Sequence, residues 1–286
     1  MVSLFSFLLA SSLVVAAQAL DLRLITHNVR QQTADLGEGE KDWTERVGPM
    51  VAQLSHEVAG NPDTLMCFQE AKHGQVEDLK SGLGNGWEYY GQGREGGEAG
   101  EYSVIFYRPS AFEILNSTTY WLSETPEEVS KGWDAAFERI VTVVRFRNKA
   151  SAKEFVHMCT HFDHKGTEAR QKSAQLILGF ASDWSDGDGT PVFIGGDLNV
   201  DPENEAYATL TSELSDTFDQ VSGDRHYGYN NTFTGFKTGQ EGQRIDYIFS
   251  KNSQGIKFVS FAILHTYYND FFTSDHRPVV VDAIVS

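Results

Sequence analysis

Basic residues, cysteines and long apolar runs are all scarce in this 286-residue chain. Lys and Arg together number 23 against 40 Asp and Glu, a formal net charge of −17. Proteins that coat nucleic acid neutralise phosphates with clustered cations, so a passive coat is excluded. An enzyme that reaches phosphate through a divalent cation is not. Two cysteines exclude a disulfide-dense scaffold and a thiolate-rich zinc site. After the first 19 residues no stretch approaches the ~20 apolar residues of a membrane span, so no stable membrane insertion is expected. The chain does have 40% apolar and 12% aromatic residues. That suffices for a real core and rules out a disordered acidic chain. The length suits one large domain or two tightly fused layers.

Residues 1–19 carry no charge, run apolar from Leu4 to Ala17, and end in Ala17-Gln18-Ala19. They read as a secretory signal peptide cut after Ala19, which leaves a domain spanning 20–286 and a secreted, extracellular protein. The export reading gives meaning to two N-glycosylation sequons, at Asn116 and Asn230. Cys67 and Cys159 both sit inside apolar runs. They can be two buried free thiols or a disulfide between neighbouring strands, and the sequence leaves both open.

Nine segments, β-branched or aromatic-rich and bounded by Gly, Pro or polar clusters, read as strands: Leu22–His27, Thr64–Gln69, Ser103–Tyr107, Ile140–Phe146, Glu154–Thr160, Pro191–Gly195, Ile245–Phe249, Lys257–Leu264 and Pro278–Ile284. Three segments read as helices. One follows Asp42 with Glu45 at capping-box spacing; one is capped by Thr167 and has Ala174, Ile177, Leu178 and Ala181 on one apolar face; one follows Asp201-Pro202 over Glu203–Leu214. Gly82–Gly100, rich in glycine and charge, is expected to be a long loop near the ligand-binding edge. Strands outnumber helices, and the helices fall between strand pairs. The pattern predicts an α+β sandwich of two packed sheets with helices outside.

Several of these strands end in groups capable of catalysis. Asn28, Glu70, His161, Asp197 with Asn199, Asp246 and His276 all lie at such ends or starts. Asn28, Glu70 and Asp275 are hard oxygen donors suited to Mg²⁺ or Mn²⁺. His161 and His276 can donate hydrogen bonds to phosphoryl oxygens, and Asp197 can orient or deprotonate a water. Asp246 can hold His276 in one tautomer. A competing zinc site would use His161, Asp163 and His164, but it leaves Asn28, Glu70 and Asp197–Asn199 without a role.

The segments Thr26-His27-Asn28, Phe68-Gln69-Glu70, Thr160-His161-Phe162-Asp163-His164, Gly195-Gly196-Asp197-Leu198-Asn199, Arg244-Ile245-Asp246-Tyr247 and Ser274-Asp275-His276-Arg277-Pro278 resemble, in order, the motifs of the endonuclease/exonuclease/phosphatase superfamily. The resemblance spans almost the whole chain after the leader. It implies a four-layered α/β sandwich of the DNase I type, two packed, mostly antiparallel sheets with outer helices. It also implies a divalent-cation-dependent hydrolase of phosphomono- or phosphodiesters. By motif, Glu70 and Asn28 would hold the metal with Asp275 nearby. Asp197 would activate water together with Asn199, and His276 paired with Asp246 would stabilise the pentavalent state. His161 would contact the scissile phosphate, and Arg139 resembles the family's phosphate-binding arginine. Tyr102 and Arg170 are further substrate-facing candidates. Trp133 lies in a stretch, Trp121 to Ala136, similar to compact secreted or bacterial members, and its indole can stack on a base or sugar.

The superfamily includes nucleases, deadenylases, inositol polyphosphate phosphatases and sphingomyelinases. The inositol phosphatases' Pro-x-Trp-Cys-Asp-Arg segment is missing between Gly235 and Arg244, and an export signal does not suit a cytosolic deadenylase. Tyr267-Tyr268 with Phe271-Phe272 offers at most a small aromatic patch for a lipid surface or a cover for the sheet edge. The leading expectation is therefore an extracellular Mg²⁺-dependent phosphodiesterase or nuclease acting on nucleic acid or nucleotides. A lipid or small-molecule phosphoesterase is the alternative, and a catalytically silent binding module is a remote third. No basic stripe supports the nuclease, the nearest cluster being Arg145, Arg147, Lys149 and Lys153. No protein partner is evident.

Overall fold

The computed structural model describes residues 18–187, 189–239 and 242–286, so residues 1–17 of the expected leader lie outside the described residues. In chain order the elements are β1 (Leu20–Asn28), α1 (Trp43–Glu57), β2 (Thr64–Gln69), α2 (His73–Leu83), β3 (Glu88–Tyr90), β4 (Ser103–Tyr107), β5 (Phe112–Trp121), β6 (Ile140–Asn148), β7 (Glu154–His161), α3 (Thr167–Trp184), β8 (Val192–Asp197), α4 (Glu205–Thr211), β9 (Ser215–Asp216), α5 (Thr217–Gln220), β10 (His226–Gly228), β11 (Asp246–Lys251), β12 (Ile256–Ile263), β13 (Tyr267–Tyr268), β14 (Phe271–Phe272) and β15 (Val279–Val285).

Among the described residues two large sheets form, with strand orders β10-β12-β15-β1-β2-β4-β3 and β5-β6-β7-β8-β11-β9, beside the two-stranded β13-β14. Each contains a parallel pair joined through an outer helix, β1–α1–β2 in one and β7–α3–β8 in the other. Strand alternation builds the layers. In β2, Leu65 and Cys67 face the opposite sheet, whereas Met66 and Phe68 pack with Met50 and Leu54 of α1 and Val76 and Leu79 of α2. In β8, Phe193 enters the inter-sheet core, whereas Val192 and Ile194 pack with Ala174 and Ile177 of α3. Helices, sheet, sheet, helices: this is the four-layered α/β sandwich that the resemblance implies.

Every expected strand is present. Cys67 of β2 and Cys159 of β7 meet as a disulfide across the inter-sheet core, Cα atoms 5.4 Å apart, which settles the choice the sequence leaves open. Gly195 lies beside it, where an added Cβ would sit 3.3 Å from Cys67 Sγ. The region expected as a loop from Gly82 to Gly100 is shorter, because α2 runs to Leu83 and β3 occupies Glu88–Tyr90. Gly82 is there for packing: a Cβ would sit 2.7 Å from Val51 of α1. The helix expected over Glu203–Leu214 is confined to Glu205–Thr211 and capped by Asn204, not Asp201. Thr167 does not cap α3 either; Gly166 takes the cap position and Asp134 accepts from Ala169 N (2.7 Å) and Glu168 N (3.3 Å) from a distant loop. Tyr267-Tyr268 and Phe271-Phe272 form a small hairpin, with Phe272 buried and Tyr268 exposed. Among the described residues no helix is long and apolar enough to cross a membrane.

Candidate active site

Strand pairing brings the polar ends together. Asp197 at the end of β8 lies in register with His161 of β7 on one side and Asp246 of β11 on the other. Asn28 ends β1 beside Gln69 of β2, and Glu70 follows with φ +65°, a left-handed conformation that costs a non-glycine residue about 1 kcal/mol or more. Asn199 has φ +54°, where an asparagine is less strained. Gly196 must be glycine, since a Cβ would sit 2.3 Å from Thr160 O.

The Asp197 carboxylate is the centre of the arrangement. Its Oδ2 accepts from Asn28 Nδ2 (2.9 Å) and lies 3.5 Å from His161 Nε2 and 3.7 Å from His276 Nε2. Its Oδ1 accepts from Asn199 N at 2.8 Å. Asn28 Nδ2 also donates to Glu70 Oε1 (2.9 Å), and Glu70 Oε2 accepts from Gln31 N (3.1 Å). His276 Nδ1 donates to Asp246 Oδ2 at 2.8 Å, the pairing expected from the motifs. Asp197, Asp246 and His276 are almost wholly buried.

Electrostatics follow from this crowding. Burial and the neighbouring Asp246 push the Asp197 carboxyl up to about 7. Burial raises Asp275 to about 6, with Glu70 adding to the rise. Burial also acts to raise Glu70, but the Asn28 hydrogen bond and the His276 charge hold it below the ordinary range. For His276 burial opposes the charged ring, yet Asp246 and Asp197 keep it well above the usual imidazole value. His161 is the reverse, held well below that value by burial and by the Arg139 and Arg94 charges.

Arg139 organises the far wall. Its Nη1 donates to His161 Nδ1 (3.0 Å), its Nε to Asp163 Oδ2 (3.3 Å) and its Nη2 to His164 Nδ1 (3.1 Å). The three residues of the competing zinc reading thus surround a guanidinium, and Asp163 Oδ1 is further occupied by Lys165 N and Gly166 N. A cation already fills that position, so the zinc alternative is corrected. His161 Nε2 in turn faces Asn199 Nδ2 at 3.0 Å. A neutral imidazole accepts at one nitrogen only; Asn199 Nδ2 also donates to Phe162 O (3.0 Å), so His161 can accept from Arg139 at Nδ1 and turn its Nε2–H toward Asp197.

An open cleft of about 350 Å³ covers these groups, lined by Arg30, Glu70, Glu101, Phe137, Arg139, His161, His164, Asn199, Phe233, Asp275 and His276 among others. Three candidates lie outside this cleft. Tyr102 packs in the helix-side core with its hydroxyl near His73 and Gly97, and lines a small recess beside the cleft with Glu101, Arg139 and His161. Arg170 donates to Asp163 O in the first turn of α3, and Trp133, half-buried, is not among the cleft-lining residues. Asn116 and Asn230 are exposed. The Arg145–Arg147 cluster is tied up with Glu154 at the hairpin end. Sequence reasoning missed Glu101, a buried carboxyl raised to about 7 by burial and by Glu70, which accepts from Arg94 Nη1 at 2.7 Å. Its position just before β4 carries the same strand-end signal as the others.

The donor set fits a divalent cation. Glu70, His161 and Asp197 offer ligand atoms all within 4.8 Å of one another, and the Glu70 and Asp275 carboxyl groups both line the cleft. The carboxylate oxygens among these donors are hard ligands of the kind that suit Mg²⁺ or Mn²⁺.

The sequence model of the endonuclease/exonuclease/phosphatase family matches residues 25–276. Among solved structures, an endonuclease/exonuclease/phosphatase family protein of Bacteroides thetaiotaomicron is 31% identical with a TM-score of 0.86, covering 95% of this chain and 97% of its own. A mannosyl-6-phosphatase of the same organism is 32% identical with a TM-score of 0.82, covering 92% and 99%. An uncharacterized protein of Acanthamoeba polyphaga mimivirus is 27% identical over 189 residues, 62% of this chain and 68% of that protein.

Proposed function

Because the chain belongs to the endonuclease/exonuclease/phosphatase family, whose members hydrolyse phosphate esters, we propose that it is a divalent-cation-dependent phosphomonoesterase acting on a small phosphorylated sugar. The observation that carries this reading is the Asp197 carboxylate, raised toward neutrality and ringed by Asn28, His161 and His276, the two histidines themselves lining a 350 Å³ cleft. A cleft of that size encloses a small ligand. The similarity to a mannosyl-6-phosphatase over nearly the full length supports a sugar as the alcohol part. Nucleic acid is the weaker class, since the chain carries −17 and the Arg145–Arg147 cluster is already paired.

Glu70 and Asn28, with Asp275 beside them, would hold the Mg²⁺ or Mn²⁺. The ion would supply the positive charge that balances a phosphate dianion among carboxylates. Asn28 presents its amide nitrogen to both Glu70 and Asp197, so ligation through its oxygen requires the amide to turn. Asp197 takes the proton of the attacking water, and a carboxyl near pH 7 is matched to that task. The water oxygen bonds phosphorus as the ester P–O bond breaks; the leaving alkoxide takes up a proton from solvent to become the sugar alcohol, and Asp197 returns its proton to solvent as phosphate departs. His276, kept protonated by Asp246, donates to the phosphoryl oxygens, and Asn199 fixes the Asp197 carboxylate through its N–H. Arg139 and His161 cradle the phosphate.

Export is part of the proposal. The leader at 1–19, glycans at the exposed Asn116 and Asn230, and a buried disulfide all suit an oxidising compartment.

The test is phosphate release by the purified protein with Mg²⁺ from mannose 6-phosphate, a nucleotide and p-nitrophenyl phosphate, with plasmid nicking alongside. Sugar phosphate turnover, lost with EDTA and in Asp197→Ala, is the expected result. Nicking without sugar phosphate turnover would restore the nuclease, and silence on all substrates would favour a binding module.

A further inference from the structure

A buried guanidinium outside the cleft ties its two sides together. Arg46 of α1 is 1% exposed. Its Nη1 donates to Val29 O (2.8 Å) and Thr273 O (2.7 Å), its Nη2 to Arg30 O (3.0 Å) and its Nε to Lys41 O (3.0 Å). Val29 and Arg30 directly follow Asn28; Thr273 directly precedes Ser274, Asp275 and His276. Four carbonyl oxygens from three segments therefore converge on one side chain.

We propose that Arg46 is a positioning residue of the active site, a cation that fixes the loop after β1 against the loop before β15 and so sets the spacing between Asn28 and Glu70 on one side and Asp275 and His276 on the other. Arg30 shows why a clamp is needed. Its φ of +58° is strained for a non-glycine residue, and its carbonyl is held by Arg46 and by Gln75 Nε2 (3.0 Å). In that conformation the next N–H, of Gln31, points at Glu70 Oε2. On the other side, Ser274 Oγ donates to Asn28 O (2.6 Å) and accepts from His276 N (3.2 Å). The same clamp thereby reaches the residue that presents His276. A lysine keeps the charge of Arg46 but cannot reproduce its forked geometry, so it cannot serve all four carbonyls at once.

The kinetic arm of the test rests on the phosphoesterase reading above; the structural arm does not. Arg46→Lys is compared with Arg23→Lys, which disturbs the bidentate Arg23–Asp282 pair remote from the cleft. With p-nitrophenyl phosphate, Arg46→Lys is expected to lower kcat about tenfold or more with KM nearly unchanged, as misplaced catalytic groups do. Arg23→Lys is expected to lower only thermal stability. Hydrogen exchange read by mass spectrometry is expected to quicken in Arg46→Lys at residues 29–32 and 272–277. Unchanged kcat with a loss of stability like the control's, or exchange that quickens only within α1, would overturn the proposal. Should Arg46→Lys not fold, Gln75→Met loosens the same loop, removing the second hold on Arg30 O together with the acceptor of Gln32 N and Lys72 N; an unchanged kcat there would show that holding this loop does not matter to turnover and overturns the proposal equally. A wild-type protein inert toward the ester would count against the phosphoesterase reading, while the exchange result would still decide the role of Arg46.

Discussion

The Cys67–Cys159 disulfide gives a prediction whose size follows from chain length. It joins residues 92 apart in sequence, and both cysteines are fully buried between the sheets. Cross-linking a loop of that length removes unfolded-chain entropy worth about 4 to 5 kcal/mol. A domain is stable by roughly 5 to 15 kcal/mol in total, so the bond accounts for a large share. The double variant Cys67→Ala/Cys159→Ala should therefore unfold at a clearly lower guanidinium midpoint. Reductant added to the folded wild type should leave stability unchanged over hours, because the bond is out of reach of a thiol. Reductant added to the unfolded wild type should bring its refolded stability down toward that of the double variant. Kinetic constants at 25 °C should change little, since the loss acts mainly through the unfolded state. Two titratable thiols in the denatured, unreduced wild type, or a double variant within about 1 kcal/mol of wild type, would refute the reasoning.

Three further outcomes are expected. Asp197→Asn should abolish turnover yet raise thermal stability in EDTA. A carboxyl whose folded value is near 7 against 3.8 ordinarily destabilises the fold at neutral pH, and the amide removes that burden. Asp246→Asn should cut kcat by roughly 10²- to 10⁴-fold with the fold intact, because His276 loses the carboxylate that sets its tautomer and charge; pH–rate profiles with and without the substitution check this. His157, buried in β7, is lowered from 6.5 to about 4 by burial. Its folded form binds protons less readily than the unfolded chain. The stability it permits is complete above pH 6.5 and declines as pH falls toward 4, by about 3 kcal/mol at the limit. Urea melts of His157→Leu across pH 4 to 8 should show a flatter acid limb than wild type.

What the chain discloses locally, it discloses well. The apolar runs before Asn28, Glu70, His161 and Asp197 form strands wherever they lie, because alternation and β-branching act over a few residues. Polar groups at their ends then fall at one edge of the sheets. Asp246 and His276 are paired as their motifs imply. Other elements are hidden because their local signals point elsewhere. Gly82 reads as a loop former but serves a close helix contact, and β5 is half-exposed with a bulge between Ile114 and Asn116 that breaks its alternation.

Contacts between distant segments are decided only by the tertiary structure. Asp134 caps a helix more than thirty residues away, and Cys67 meets Cys159 across two sheets. Arg139 occupies the space where His161, Asp163 and His164 suggest zinc, and Tyr102 turns into the core. Arg46, which no motif marks, gathers carbonyls from both ends of the chain. The residue types and their order along the chain determine which chemistry is available. Which donor faces which acceptor depends on strand register and helix docking, and those are set by burial summed over the whole core.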